Sequence, residues 1–71
     1  MKTEILAPMP GLIIEVCANV GDDIREFQTL CILEAMKMEN QIASTATGKV
    51  SEVLVKVGDA VKTNQVLMVL A

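Results

Sequence analysis

Short apolar runs separated by turn residues predict that this chain folds into β-strands. The runs are rich in β-branched residues and cover residues 12–18, 30–33, 50–55 and 66–70. No stretch of twelve or more residues has the apolar spacing of an amphipathic helix. Strict alternation fails at Glu15 and Glu52, which interrupt apolar positions, and this predicts bulges or bends in the strands that contain them.

The sequence contains an internal repeat. A shift of 37 positions aligns residues 11–34 with residues 48–71 without a gap, and nine of the 24 aligned pairs are identical. The identical pairs include Val-Gly-Asp at 20–22 and 57–59, which favours a tight turn in each copy. The repeat, over residues 4–34 and 41–71, predicts one domain covering 1–71. We expect an all-β sandwich or flattened barrel with pseudo-twofold symmetry, with residue 37 and the two termini at opposite ends.

The amino-acid composition excludes several classes of function. The chain has no histidine, which removes the commonest general base and metal ligand, so we predict no catalytic residue and no metal site. The six basic residues are scattered and Phe27 is the single aromatic, so nucleic-acid binding is not expected. The apolar runs are too short for direct membrane insertion. The absence of a secretory signal favours a cytoplasmic location.

The two cysteines are predicted to be structural. Cys17 and Cys31 align with Leu54 and Met68 in the second copy, which are apolar positions. We therefore expect both cysteines to be reduced and to act as small hydrophobic residues. A disulfide is not expected in a cytoplasmic setting.

The junction between the two copies carries a specific motif. Ala35-Met36-Lys37-Met38 places a lysine between two methionines at the symmetric midpoint of the repeat. Together with the Ala-Pro-Met-Pro-Gly segment at 7–11 and the two Val-Gly-Asp turns, the motif resembles the biotinyl domains of biotin-dependent carboxylases and decarboxylases. The resemblance covers roughly residues 4–71 and implies two four-stranded antiparallel sheets with Lys37 at a hairpin tip. The gapless repeat indicates a domain without the protruding thumb that some members carry.

The resemblance implies a biotin carboxyl carrier, which is not an enzyme by itself. A biotin protein ligase would join the carboxylate of biotin to the side-chain amine of Lys37 as an amide, and Ala35, Met36 and Met38 complete the attachment motif. The carrier would shuttle carboxylate between the active sites of a biotin-dependent carboxylase, decarboxylase or transcarboxylase. Its partners would be a biotin carboxylase and a carboxyltransferase or decarboxylase, present as domains or subunits. A mitochondrial or plastid location stays open as an alternative if the domain is excised from a larger precursor.

Two other functions stay open at this point. A lipoyl carrier has the same duplicated fold, but typically an acidic residue before the lysine and a small one after it. An unmodified β-sheet interaction module is the second alternative. Met36 and Met38 either cover the cofactor arm, are read by the ligase, or pack locally. Glu34 and Glu39 either help recognition or are ordinary surface charges.

Two turn residues depart from the family pattern. Biotinyl domains commonly have glycine before the glutamine in the turn that follows each Val-Gly-Asp, whereas this chain has Phe27 and Asn64 there. Asparagine tolerates a left-handed backbone, but phenylalanine is strained in it. The first of the two turns is therefore predicted to differ locally from the second.

Overall fold

The computed structural model describes residues 2–71 and contains eight β-strands in two sheets. The sheets have the strand orders β1-β8-β6-β3 and β5-β4-β2-β7, and every paired strand is antiparallel to its neighbour. The predicted all-β fold with two four-stranded antiparallel sheets is therefore confirmed. The strands are β1 (Thr3–Leu6), β2 (Gly11–Val16), β3 (Asp23–Ile24), β4 (Thr29–Ala35), β5 (Met38–Ala43), β6 (Gly48–Val53), β7 (Ala60–Val61) and β8 (Val66–Leu70).

The two sheets are copies of each other at the same 37-residue interval as the sequence repeat. The shift converts β1, β2 and β3 into β5, β6 and β7, and β4 into β8, so each strand order converts into the other. Each copy has a register shift at the same place, between Ile13 and Glu15 in β2 and between Val50 and Glu52 in β6. The interruptions predicted from Glu15 and Glu52 are thus β-bulges, which bend their strands and increase the twist.

The core lies between the two sheets and is aliphatic. Fully burying one leucine or isoleucine side chain contributes roughly 1.5–3 kcal/mol, so a few such residues decide whether a domain of this size folds. Among the described residues, one polar residue is buried, and it is Ser44. Its hydroxyl donates a hydrogen bond to the Ala46 carbonyl oxygen and accepts one from the Ala46 N–H. The largest fully buried apolar side chains are Ile13, Ile24, Leu30, Leu33, Val50, Leu67, Met68 and Leu70.

The β4–β5 hairpin and the paired chain ends occupy opposite ends of the molecule, which measures 33 × 17 × 17 Å. β2 begins beside the hairpin, with Leu12 opposite Glu34. The chain that leaves the other end of β2 reaches β3, where Asp23 pairs with Lys49 beside Ala71. A group carried by the hairpin therefore points away from the end where residues 3 and 70 lie side by side.

The two Val-Gly-Asp turns have the geometry that their residues favour. Gly21 and Gly58 have φ of 95° and 98°, a backbone region that residues with a Cβ rarely adopt. The Oδ2 atom of Asp22 accepts a hydrogen bond from the Asn19 N–H at 2.8 Å, and Asp59 accepts one from the Lys56 N–H at 2.9 Å. These carboxylates close the two turns in the same way.

The prediction that the Phe27 turn differs from the Asn64 turn is wrong. Phe27 has a φ of 72° and Asn64 a φ of 67°. In both turns the backbone N–H of the positive-φ residue donates to a carbonyl of a neighbouring loop. The Phe27 N–H donates to the Ser44 carbonyl at 2.8 Å, and the Asn64 N–H donates to the Ala7 carbonyl at 2.7 Å. These contacts keep Phe27 in the left-handed conformation, so its strain is retained in the native structure.

Replacement of Phe27 by glycine should stabilise the domain. A left-handed conformation costs an L-residue about 1–2 kcal/mol, and glycine avoids this cost while adding about 0.5–1 kcal/mol of unfolded-state entropy. Phe27 is 78% exposed, so little packing is lost. We expect a net gain of roughly 0.5–1 kcal/mol in the free energy of urea unfolding.

Asn64→Gly is the matched control for this change. Asparagine already tolerates the left-handed region, so its replacement should leave the unfolding free energy nearly unchanged. A loss of stability in Phe27→Gly would show that the exposed ring makes contacts worth more than the backbone strain.

Candidate functional site

Lys37 lies at the tip of the β4–β5 hairpin, as predicted. Ala35 and Met38 form the last cross-strand pair, and Met36 and Lys37 are the two central residues of the turn. Their φ angles are 54° and 64°, the left-handed values of a two-residue type I′ hairpin turn. Because the register of β4 with β5 continues up to this pair, the tip is an extension of the sheet rather than a separate loop.

Met36 and Lys37 adopt a left-handed backbone conformation that residues of their type disfavour. A type I′ turn favours Asn-Gly, whereas here both positive-φ positions carry long side chains. Each such residue costs about 1–2 kcal/mol. Strain of this kind persists where the surrounding structure holds it and tends to lie at functional sites. Stability therefore does not explain why Met36 and Lys37 occupy the turn.

The side chains at the tip project into solvent. Met36 is 91% and Met38 66% exposed, and Lys37 is exposed as well. Neither methionine packs into the core, so filling the core does not explain them. Among residues 2–71 the one ion pair is Lys49 with Asp23, so the Lys37 ammonium has no carboxylate within ion-pair distance. The amine is accessible and unpartnered.

The two strands of the β4–β5 hairpin are held in place by Asn40 and Gly11, which the sequence analysis did not single out as site residues. Ala35, in the pair next to the turn, is buried, and the Asn40 side-chain amide donates to the Met38 carbonyl at 3.3 Å. A Cβ added to Gly11 would lie 2.5 Å from the Glu34 carbonyl oxygen and 2.9 Å from Leu33 Cδ1, so β2 packs this closely only because residue 11 is glycine. The identity of Gly11 and Gly48 in the repeat was a signal for this close approach, whereas nothing in the sequence marked Asn40.

Two glutamates face each other across the hairpin. Glu34 and Glu39 are directly opposite in the β4–β5 register, and both are exposed. Like charges at directly opposite positions destabilise an antiparallel pair by a few tenths of a kcal/mol to about 1 kcal/mol. The part of the chain that the structure describes contains no cluster of residues able to hold a metal ion.

The two cysteines have different environments. Cys31 is fully buried in β4, and desolvation together with the neighbouring Cys17 raises its pKa to about 11, so the thiol stays protonated at neutral pH. Cys17 is exposed, which corrects the expectation that it fills an apolar position. Its partner in the repeat, Leu54, is also exposed. Desolvation and the Glu15 carboxylate raise the pKa of Cys17, so neither cysteine has the character of an activated nucleophile.

Comparison with known proteins identifies the family. The family model described as "Biotin-requiring enzyme", the biotin/lipoyl model, matches residues 3–70. The chain belongs to the biotin/lipoyl attachment family. The match extends over both copies of the repeat and includes the hairpin, so the resemblance carried by the Lys37 motif is confirmed at the level of the family.

Curated relatives of this biotin/lipoyl chain are carriers and carboxylase subunits. It is 60% identical over 42 residues to a biotin carboxyl carrier protein of Streptococcus mutans, covering 59% of this chain and 32% of that protein. It is 50% identical over 44 residues to a propionyl-CoA carboxylase alpha chain of Ruegeria pomeroyi, covering 62% of this chain and 6% of that one. The chain thus spans a third or less of the length of these relatives.

Solved structures of carboxylases contain the same fold. A urea carboxylase of Kluyveromyces lactis matches all of this chain with a TM-score of 0.94 and 30% sequence identity, over 6% of its own length. A single-chain, multi-domain long-chain acyl-CoA carboxylase matches 96% of this chain with a TM-score of 0.89 and 34% identity, over 7% of its length. Residues 2–71 contain no helix that could cross a membrane.

Proposed function

We propose that this chain is a biotin carboxyl carrier domain and that Lys37 is the residue that carries biotin. The observation that carries the proposal is an accessible, unpartnered amine at the tip of a strained hairpin in a biotin/lipoyl fold. The cofactor fits this position because an amide needs only an exposed amine and open space around it, and both are present at residue 37. Ala35, Met36 and Met38 complete the attachment motif around it.

Loading is an acyl transfer to the lysine. Nζ of Lys37, after loss of a proton to solvent, attacks the carbonyl carbon of an activated biotinyl group supplied by a biotin protein ligase. A C–N amide bond forms, the bond from the carbonyl carbon to the leaving group breaks, and the leaving group stays with the ligase. The net charge of the domain changes from −3 to −4, since the ammonium is lost. Bound biotin supplies a ring nitrogen that accepts and releases a carboxyl group.

The chain itself contributes position rather than catalysis. The two packed sheets hold the hairpin tip at one end of the 33 Å domain. The flexible four-carbon side chain of Lys37 would let the attached biotin reach different active sites. A tether of this kind raises the effective concentration of the carried group at the next active site to the order of millimolar. The domain is a carrier that serves biotin-dependent carboxylases, and it is not itself catalytic.

The partners follow from this role. We assign the domain a biotin carboxylase that loads the carboxyl group and a carboxyltransferase or decarboxylase that removes it, as domains or subunits. The bacterial carrier relative supports a cytoplasmic location. Exposed methionines on both sides of Lys37, in place of the acidic and small neighbours typical of lipoyl carriers, favour biotin over lipoate.

The intact mass of the chain, coexpressed with a biotin protein ligase and with free biotin, tests the proposal. We expect an increase equal to one biotin minus one water, and a tryptic peptide that places it on Lys37. Parallel coexpression with a lipoate ligase should leave the mass unchanged. A lipoyl increment would overturn the proposal in favour of a lipoyl carrier, and an unmodified mass with both ligases would favour an interaction module.

A further inference from the structure

The exposed methionines among residues 2–71 lie on either side of Lys37. Met36 is 91% exposed, which is the highest exposure of any large apolar side chain in that part of the chain, and Met38 is 66% exposed. Met68 is fully buried in β8, and Met9 is partly buried against the core. The methionine sulfurs that solvent can reach are therefore concentrated at the hairpin tip.

Neither the fold nor the turn requires methionine at these two positions. The type I′ turn favours asparagine and glycine, and Met36 has a φ of 54°. Met38 is paired with Ala35, but its side chain lies outside the core. A thioether differs from other exposed apolar side chains in one chemical property, because its sulfur is readily oxidised to a sulfoxide and enzymes reduce it back.

We propose that Met36 and Met38 are a reversible oxidation site and that their oxidation slows the attachment of biotin to Lys37, an inference that rests on the proposed function. The oxidant is a peroxide. The thioether sulfur attacks one peroxide oxygen, the O–O bond breaks and an S–O bond forms. The sulfur loses two electrons, and hydrogen peroxide is reduced to water. A methionine sulfoxide reductase restores the thioether, while two thiols become a disulfide and the oxygen leaves as water.

Oxidation at the tip is compatible with the folded domain. A sulfoxide is polar, so it would disrupt packing at the buried Met68, whereas at Met36 and Met38 its oxygen remains in water. The register of β4 with β5 is set by backbone pairing that continues to Ala35 and Met38, and it does not depend on the two thioethers. The oxidised tip therefore keeps its shape and changes its polarity.

The change in polarity occurs next to the reacting amine. Met36 directly precedes Lys37 and Met38 directly follows it. Before loading, Nζ stands on a four-carbon stem, so an active site that reaches it also closes over the neighbouring side chains. A thioether loses its water there at little cost, whereas a sulfoxide oxygen gives up hydrogen bonds to water. We expect the ligase kcat/KM for the oxidised domain to fall about tenfold.

Cys17 is an accessible sulfur away from the tip, and the experiment has to separate it from the methionines. Its thiol is exposed, whereas that of Cys31 is buried. Desolvation and the Glu15 carboxylate raise the pKa of Cys17, which lowers the fraction of reactive thiolate at neutral pH. Cys17→Ser removes the remaining competition, and because residue 17 is exposed this substitution leaves the core unchanged.

Graded treatment of the unloaded Cys17→Ser domain with hydrogen peroxide, followed by removal of the peroxide and peptide mapping by mass, tests the inference. We expect added oxygen at Met36 and Met38 before Met9, and at Met68 last, with an unchanged melting temperature. The ligase kcat/KM should fall about tenfold and return to the starting value after treatment with methionine sulfoxide reductase and a dithiol.

Met36→Leu with Met38→Leu in the same background is the matched control, because leucine keeps an apolar side chain and has no sulfur to oxidise. Its kcat/KM should be the same before and after peroxide treatment. Loss of loading in this variant on treatment would place the sensitive group elsewhere and overturn the inference.

The other outcomes separate this inference from the proposed function. A domain oxidised at Met36 and Met38 that is loaded at the untreated rate would overturn the inference, and so would oxidation of Met68 as early as Met36. An untreated domain that is not loaded at Lys37 would overturn the proposed function and the inference with it. Should peroxide lower the melting temperature, Met36→Gln with Met38→Gln, which puts uncharged polar groups at the tip, has to lower kcat/KM severalfold for the inference to stand.

Discussion

Replacement of Lys37 by arginine should reduce biotin attachment to background. Arginine keeps the positive charge, the length and the backbone cost of the tip, but its guanidinium stays protonated at neutral pH and is not acylated as an amine is. The fold should be unaffected, since residue 37 is exposed and makes no ion pair. Intact mass and streptavidin blotting after coexpression with a biotin protein ligase measure the effect.

Lys62→Arg is the matched control for that substitution. Lys62 is an exposed lysine in a turn, and its counterpart in the first copy is Arg25, which shows that the fold accepts arginine there. This variant should be loaded as fully as the wild type. Streptavidin signal that persists in Lys37→Arg would place the attachment on another amine and contradict the assignment of the site.

The symmetry of the fold was predictable because identical residues in the two copies occupy positions with strict backbone or packing demands. Gly21 and Gly58 need positive φ, and Leu33 and Leu70 fill equivalent core positions. Equivalent positions that have the same structural requirement in both copies carry the same residue type, so the shift of 37 residues revealed the duplicated sheets. The domain limits and the attachment residue stay predictions.

The exposure of Cys17 and the conformation of the Phe27 turn could not be predicted from the sequence, because both depend on tertiary structure. Cys17 aligns with Leu54, and the apolar partner suggested burial, yet both residues are exposed and follow a bulge that shifts the register. The turn at Phe27 was expected to differ because strain was weighed without its hydrogen bond to Ser44. The positions of the bulges were marked by Glu15 and Glu52, but the face on which a residue after the bulge lies, and the long-range hydrogen bonds, are products of tertiary structure that propensity along the chain does not encode.

Replacement of Leu33 by alanine should have the largest effect on stability of any prediction made for this chain. Leu33 is fully buried in β4, opposite Ile13, and its Cδ1 lies against the backbone of Gly11. Large-to-small changes at such sites cost about 3 kcal/mol and range from about 2 to 5, because a cavity remains. A chain of 71 residues has a total unfolding free energy of roughly 4–11 kcal/mol, so about a quarter to three quarters of it is lost. The melting temperature should fall by roughly 12–24 °C.

Leu54→Ala makes the same chemical change at a position that is 52% exposed and should cost less than about 1 kcal/mol. Equal losses in the two variants, measured by thermal and urea unfolding, would contradict the assignment of the core. At a temperature where Leu33→Ala is still folded, biotin loading at Lys37 should persist, since the strained turn that presents the amine is held by the backbone pairing of β4 with β5. Stability and presentation of the lysine are therefore separable, the first through packing between the sheets and the second through the register of β4 with β5.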